Sequence, residues 1–277
     1  MLSTSTKNSI IKKIDEINSL LYSDTRGAFC VYQKFHNANS DPQSRQDISK
    51  LYTDSVDLAY VLTLLSSLNP YSTPLEHRKN YKFGLRQNER CLSQPITKET
   101  LIQRNLFLNT TFYRDCLGFL IGYEIVIPRK KRAFPVDLVG IKLKDNKPVI
   151  TLIELKSCIL PSNTKAQSKE LLLRAILEVT TYRAWFCHAL QSETDGLCSS
   201  IQCQLARKLN INLSLDEVKN LDVENIVLVP DAIARDVQFL DEKLYSGVEI
   251  YLINPSELLK EDTKTGDVGR YFDIVKF

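Results

Sequence analysis

The sequence predicts an α/β fold: a mixed central sheet flanked by helices, with an N-terminal helical region ahead of it. Three observations lead there. Residues 9–22 and 44–68 carry apolar side chains at helical spacing. From residue 97 the pattern changes to α-β-β-β-α-(α)-β-α-β. Two of those strands flank Lys144-Asp145-Asn146-Lys147, a good turn sequence, and so form a hairpin.

In the first region, Ile10, Ile14, Ile17 and Leu21 fall on one helical face. Leu51, Ser55, Leu58, Leu62 and Leu65 repeat the pattern until Pro70 ends it. His36 to Pro42 reads as a polar loop. Residues 69–95 are weakly periodic and rich in Pro, Asn and basic side chains, so the boundary falls there. The division is residues 1–95, helical, and 96–277, the α/β domain.

The second region opens with a helix over residues 97–119, with Ile102, Leu106, Thr110 and Tyr113 on one side and Gly122 closing it. Tyr123 to Ile127 is a short strand. Asp137–Leu143 and Val149–Lys156 are the hairpin strands. A long helix spans about Lys165 to Leu190. Ser214-x-x-Glu217 is a capping box for a short helix. Ile226–Val229 is a buried strand, Ala232–Tyr245 a helix, and Val248–Ile253 the last strong strand.

Composition bounds the function classes. Net charge is +3, which neither demands nor excludes nucleic acid. No apolar stretch is long enough to span a bilayer, and Met1 to Asn8 does not read as a secretory signal. Seven cysteines and three histidines show no zinc-ligand spacing, so the cysteines read as reduced thiols of a cytoplasmic protein. Arg129, Lys130, Lys131 and Arg132 form a basic run suited to phosphate contact or to a solvated loop. A second basic stretch, His77 to Arg90, is interleaved with Tyr81 and Phe83 and has the same two readings.

The hairpin carries the chemistry. If Asp145 and Asn146 are its central turn residues, Ile141 opposes Ile150, Val139 opposes Leu152, and Asp137 opposes Glu154. Opposed residues share a face with Cβ atoms about 5 Å apart. Lys156, two residues on, shares it too. Two carboxylates that close repel unless a positive group lies between them. A hard divalent cation with oxygen ligands suits that position. The plain alternative is a structural Glu154–Lys156 pair with Asp137 as a turn residue.

A helix, a strand, Pro135-x-Asp137 opening a hairpin that ends in Ile153-Glu154-Leu155-Lys156, and a long helix after it resemble the PD-(D/E)XK nuclease superfamily. The likeness covers residues 97–255 and does not extend to residues 1–95. It implies a restriction-endonuclease-like core in which Asp137 and Glu154 hold Mg2+, or Mn2+ as a substitute, and Lys156 assists the attacking water. It places the Leu155 carbonyl near the metal. Pro135 stands one position earlier than the strict motif has it. Many members carry Gln-x-x-x-Tyr on the following helix, where this chain has Glu178-x-x-x-Tyr182. Glu178 has a second reading, as a surface bridge to Arg174. Many members also place a glutamate early in the first core helix. Glu99 is the matching residue here, with first-turn acidity as its simpler explanation.

The expectation is therefore a Mg2+-dependent endonuclease, a phosphodiester hydrolase acting on DNA, with catalytic Asp137, Glu154 and Lys156. Cutting both strands favours two copies of the site, hence a homodimer. The rival is an inactive nuclease-fold module that binds nucleic acid or a protein partner.

Overall fold

The computed structural model describes residues 83, 98–108, 115–126, 135–156, 165–191, 196–231, 247–253 and 275–276. The expected helices at 9–22, 44–68 and 232–245, the boundary near 69–95 and the basic run 129–132 lie outside the described residues.

Within them the chain runs α1 (Lys98–Leu108), β1 (Phe119–Val126), β2 (Pro135–Lys144), β3 (Lys147–Leu155), α2 (Lys165–Gln191), α3 (Leu197–Gln204), a π-helical turn (Leu205–Leu209), α4 (Leu215–Lys219), β4 (Val223–Pro230), β5 (Val248–Ile253) and a two-residue β6 (Val275–Lys276). The strands lie in chain order across one sheet. β1, β2 and β3 pair antiparallel. β3, β4 and β5 pair parallel, and β6 closes the far edge antiparallel. The sheet is mixed and the class is α/β.

The β2–β3 turn sets the register. Asp145 has φ 50° and Asn146 φ 61°, the two left-handed residues that a tight hairpin turn needs. Pairing then runs from Lys144 opposite Lys147 to Leu138 opposite Ile153, which is the register the turn sequence implies.

Both faces of the sheet are covered. On the first face, Ile141, Ile150, Leu152, Val227 and Ile250 pack against Leu172, Ile176, Val179 and Phe186 of α2. Leu197, Ile201 and Leu205 extend that layer through α3 into the π-helical turn. On the second face, Leu138, Ile153, Ile226 and Leu228 meet Ile102 and Leu106 of α1. Fully burying one such side chain contributes roughly 1.5–3 kcal/mol. The crossover from β3 to β4 runs through α2, α3 and α4, as parallel pairing demands. The Ser214–Glu217 capping box is formed: Ser214 Oγ accepts from Glu217 N at 3.2 Å, and Glu217 Oε2 accepts from Ser214 N at 2.7 Å.

One expected element is corrected. The helix over 97–119 would run through Phe119, yet residues 115–117 form a turn and β1 starts at Phe119. Gly122 lies inside β1 rather than closing a helix. The glycine that redirects the chain is Gly118, at φ 82°. A Cβ there would lie 2.7 Å from the Ile141 carbonyl carbon, so both conformation and space select glycine.

A second close approach pins the α1 side of the fold to the sheet. Thr151 on β3 donates from Oγ1 to Leu117 O at 2.6 Å. The bond passes beside Gly140, Thr151's partner on β2. A Cβ at Gly140 would lie 2.6 Å from both Leu117 O and Thr151 Oγ1. Gly140→Ala is therefore expected to destabilise the fold by about 1–3 kcal/mol. Urea denaturation checks it, and an unchanged midpoint would contradict the packing described.

The amino ends of β4 and β5 carry a charge cluster in which lysines outnumber carboxylates. Lys142 pairs with Glu224 and, at 3.3 Å, with Glu249. Lys144 reaches Glu224 and Lys276 reaches Glu249, both at 2.8 Å. Burial pushes both glutamates up, but the lysines outweigh it and hold them below the usual carboxylate range.

Candidate active site at the carboxyl ends of the parallel strands

The opposite end of the sheet has the reverse balance. The β2–β3 ladder stops at Leu138–Ile153, and Asp137 and Glu154 are the next residues in register. Beyond the ladder, the Leu155 N–H donates to Asp137 Oδ2 at 2.8 Å. A side chain thus takes the place of a backbone acceptor. One residue on, the Lys156 N–H donates to Leu228 O of β4 at 2.9 Å. The two bonds alternate between neighbours, as strand geometry requires, so the Leu155 carbonyl faces the Asp137 side. Asp137 is fixed in orientation and Lys156 is anchored to β4.

The three motif residues meet, and a fourth joins them. Lys156 Nζ lies 2.5 Å from Glu154 Oε1 and also pairs with Glu178 Oε2 from α2. Asp137 is 8% exposed, Glu154 3% and Glu178 1%. Glu154 and Glu178 therefore share one lysine in a nearly dry place, and Asp137 acts on it through its charge; unpaired charge is costly there. No hydrogen bond reaches the buried Glu154 Oε2 among the described residues.

The acidities respond. Burial, then the field of Glu99, pushes the Asp137 carboxyl up to about 7, although Lys156 and the Leu155 N–H pull it down. Burial, then the neighbouring Asp137 and Glu178, drives Glu154 well above the usual carboxylate range against the pull of Lys156. Burial lowers Lys156, but Glu154, Glu178 and Asp137 outweigh it and raise the ammonium's pKa well above its ordinary value. The lysine stays charged, while burial and mutual repulsion raise the proton affinity of Asp137 and Glu154.

The remaining expected residues divide. Glu99, in the first turn of α1, acts on Asp137 through its charge. Tyr182 is buried on α2 one turn beyond Glu178. The surface-bridge reading of Glu178 is corrected, because a carboxylate 1% exposed is not on the surface. Arg129, Lys130, Lys131 and Arg132 lie outside the described residues, as does the Arg174 side chain.

Glu124 carries no motif or periodicity that would single it out in the sequence. Register places it between Tyr123, opposite Leu138, and Ile125, opposite Val136, and hence across from Asp137. Its φ is 46°, in the left-handed region that a glutamate occupies at a cost of about 1–3 kcal/mol. A bulge between Leu120 and Gly122 lies just upstream. Bulges and strained residues gather beside active sites. No periodicity or motif marks such a backbone.

The donor set suits a hard cation in kind. Asp137, Glu154 and the Leu155 carbonyl offer only oxygen, and Glu154 Oε2 has no donor. Among the described residues, however, no three acidic, His or Cys side chains stand ready-arranged around a metal position. Lys156 fills the space between Glu154 and Glu178. A cation bound by Asp137 and Glu154 must take Glu154 from Lys156.

Family models, curated proteins and solved structures were compared with the chain, and none matches it.

The pH dependence has a definite sign. Asp137 titrates near 3.8 when unfolded and near 7 when folded. Between these values the native state keeps a proton that the unfolded state has lost. The stabilisation is complete below the unfolded value and disappears as pH rises through the folded one, at up to about 1.4 kcal/mol per pH unit. In EDTA, thermal melts from pH 4 to 8 should show wild-type stability falling more steeply than that of Asp137→Asn. Parallel slopes for the two proteins would contradict the assignment.

Proposed function

We propose that this chain is a Mg2+-dependent endonuclease that hydrolyses phosphodiester bonds, with DNA as substrate. One observation supports the reading: Glu154 and Glu178 are buried on a single lysine, with the buried Asp137 acting on the same lysine through its charge. The placement at the carboxyl ends of β3 and β4 supports it, since open α/β sheets use that end for ligands. The likeness of Asp137, Glu154 and Lys156 to the PD-(D/E)XK motif is consistent with both.

In this reading Asp137 and Glu154 hold the cation, with Mn2+ as a substitute for Mg2+. The cation supplies Lewis acidity toward a phosphoryl oxygen and a lowered pKa for water. The Leu155 N–H keeps Asp137 aimed at that position. Lys156, charged throughout, would assist the attacking water or offset negative charge developing on the phosphoryl oxygens. Glu99 and Glu178 add negative potential that favours a cation over a proton.

Cleavage of duplex and single-stranded DNA and RNA with Mg2+ or Mn2+ tests the proposal. Lys156→Ala is expected to lower the rate about 100-fold or more while leaving substrate affinity nearly unchanged. Equal activity of the two proteins on every substrate would end the catalytic claim.

A second reading is a binding module without chemistry. It is favoured by the position of Lys156, which already bridges the carboxylates a cation would use. Such a module would bind DNA with a steep salt dependence and gain no stability from Mg2+. Among the described residues no helix is long and apolar enough to cross a membrane. A homodimer belongs to the endonuclease reading, because cutting both strands calls for two sites.

A further inference from the structure

Glu178 lies on the packed stripe of α2, between Ala175 and Tyr182, and is 1% exposed. A buried carboxylate is tolerated only with a charge partner, and Lys156 is one. The Lys156 backbone is held to β4 by its N–H, but its side chain starts one residue past the end of β3. Its side chain is a flexible four-carbon stem ending in a point charge. Two carboxylates fix that charge, Glu154 from its own strand and Glu178 from the helix above. Glu154 is the one that a cation would claim. The anchor then remaining to the ammonium is Glu178.

We propose that Glu178 is a positioning residue: it holds the Lys156 ammonium from the α2 side, so that Lys156 keeps its place when Glu154 turns to a cation. The role rests on the endonuclease reading, but the ion pair itself is tested without it. It also gives the glutamate a purpose. Glutamine at this position would offer a carbonyl without the charge that the ammonium needs.

The experiment compares the full chain with Glu178→Gln, Lys156→Ala and the double variant. In single-turnover cleavage of a DNA duplex with Mn2+, Glu178→Gln should lower the rate about ten- to hundredfold. The Mn2+ concentration for half-maximal rate and the DNA affinity should change by less than about twofold. Added to Lys156→Ala, Glu178→Gln should have no further effect, since the two act as one unit. In metal-free protein, acetic anhydride labelling read by mass spectrometry should modify Lys156 several-fold faster in Glu178→Gln than in wild type.

An additive double variant would overturn the proposal. So would a main effect on the Mn2+ requirement, which would make Glu178 a metal ligand instead. If wild type cleaves nothing, the endonuclease reading fails while the labelling still judges the ion pair, and unchanged Lys156 labelling would remove it. Should the glutamine variant fail to fold, Glu178→Asp carries the test. Its shorter carboxylate must move the ammonium, so wild-type rate and labelling there would also overturn the proposal.

Discussion

The site depends on the two-residue turn at Asp145 and Asn146. Both residues adopt positive φ, which fixes the β2–β3 register. In a strand a slip of one residue exchanges the two faces. A slipped hairpin would put Glu154 on the opposite face from Asp137. The same slip would put Ile150 and Leu152 on the wrong layer. Core packing and the charge cluster therefore enforce the same register, and the register cannot drift without loss of the core.

The two ends of the sheet show how burial and charge balance decide what a cluster can do. At the amino ends of β4 and β5, Lys142, Lys144 and Lys276 face Glu224 and Glu249. Lysines outnumber carboxylates, much of the cluster is accessible, and both glutamates are held ionised. At the carboxyl ends, Asp137, Glu154 and Glu178 converge on Lys156 with little access to water. Proton affinity rises there instead of falling. The first arrangement is a self-neutralising clasp between β2, β4, β5 and β6. The second keeps more carboxylates than lysines, and the proposed cation site rests on that excess.

Much of this was legible in the sequence, for local reasons. The hairpin register follows from turn residues and the period of two. The helix α2 follows from apolar spacing, and the Ser214–Glu217 cap from a four-residue motif. The start of β1 was not legible, because Leu117 to Gly122 is as apolar as a helix end and only the φ of Gly118 decides. α3 was missed although Leu197, Ile201 and Leu205 recur at helical spacing, since the surrounding polar stretch masked them. The burial of Glu178 had a signal too. It lies among Ala175, Val179 and Tyr182 on the packed stripe, but a glutamate on a helix ordinarily reads as solvated. The clasp at the other end needed the strand order, which no local pattern contains.

The irregularity of β1 bears on how copies of this chain could assemble. β1 and β6 are the outer strands of the sheet. An outer strand is a template for another chain's backbone unless something spoils it. β1 is spoiled by its bulge and by the left-handed turn of Glu124, which break the even row of donors and acceptors. β6 is spoiled by being two residues long. Among the described residues the sheet offers no flat rim for strand addition. Strand addition at β1 would have to undo both the bulge and the Glu124 conformation.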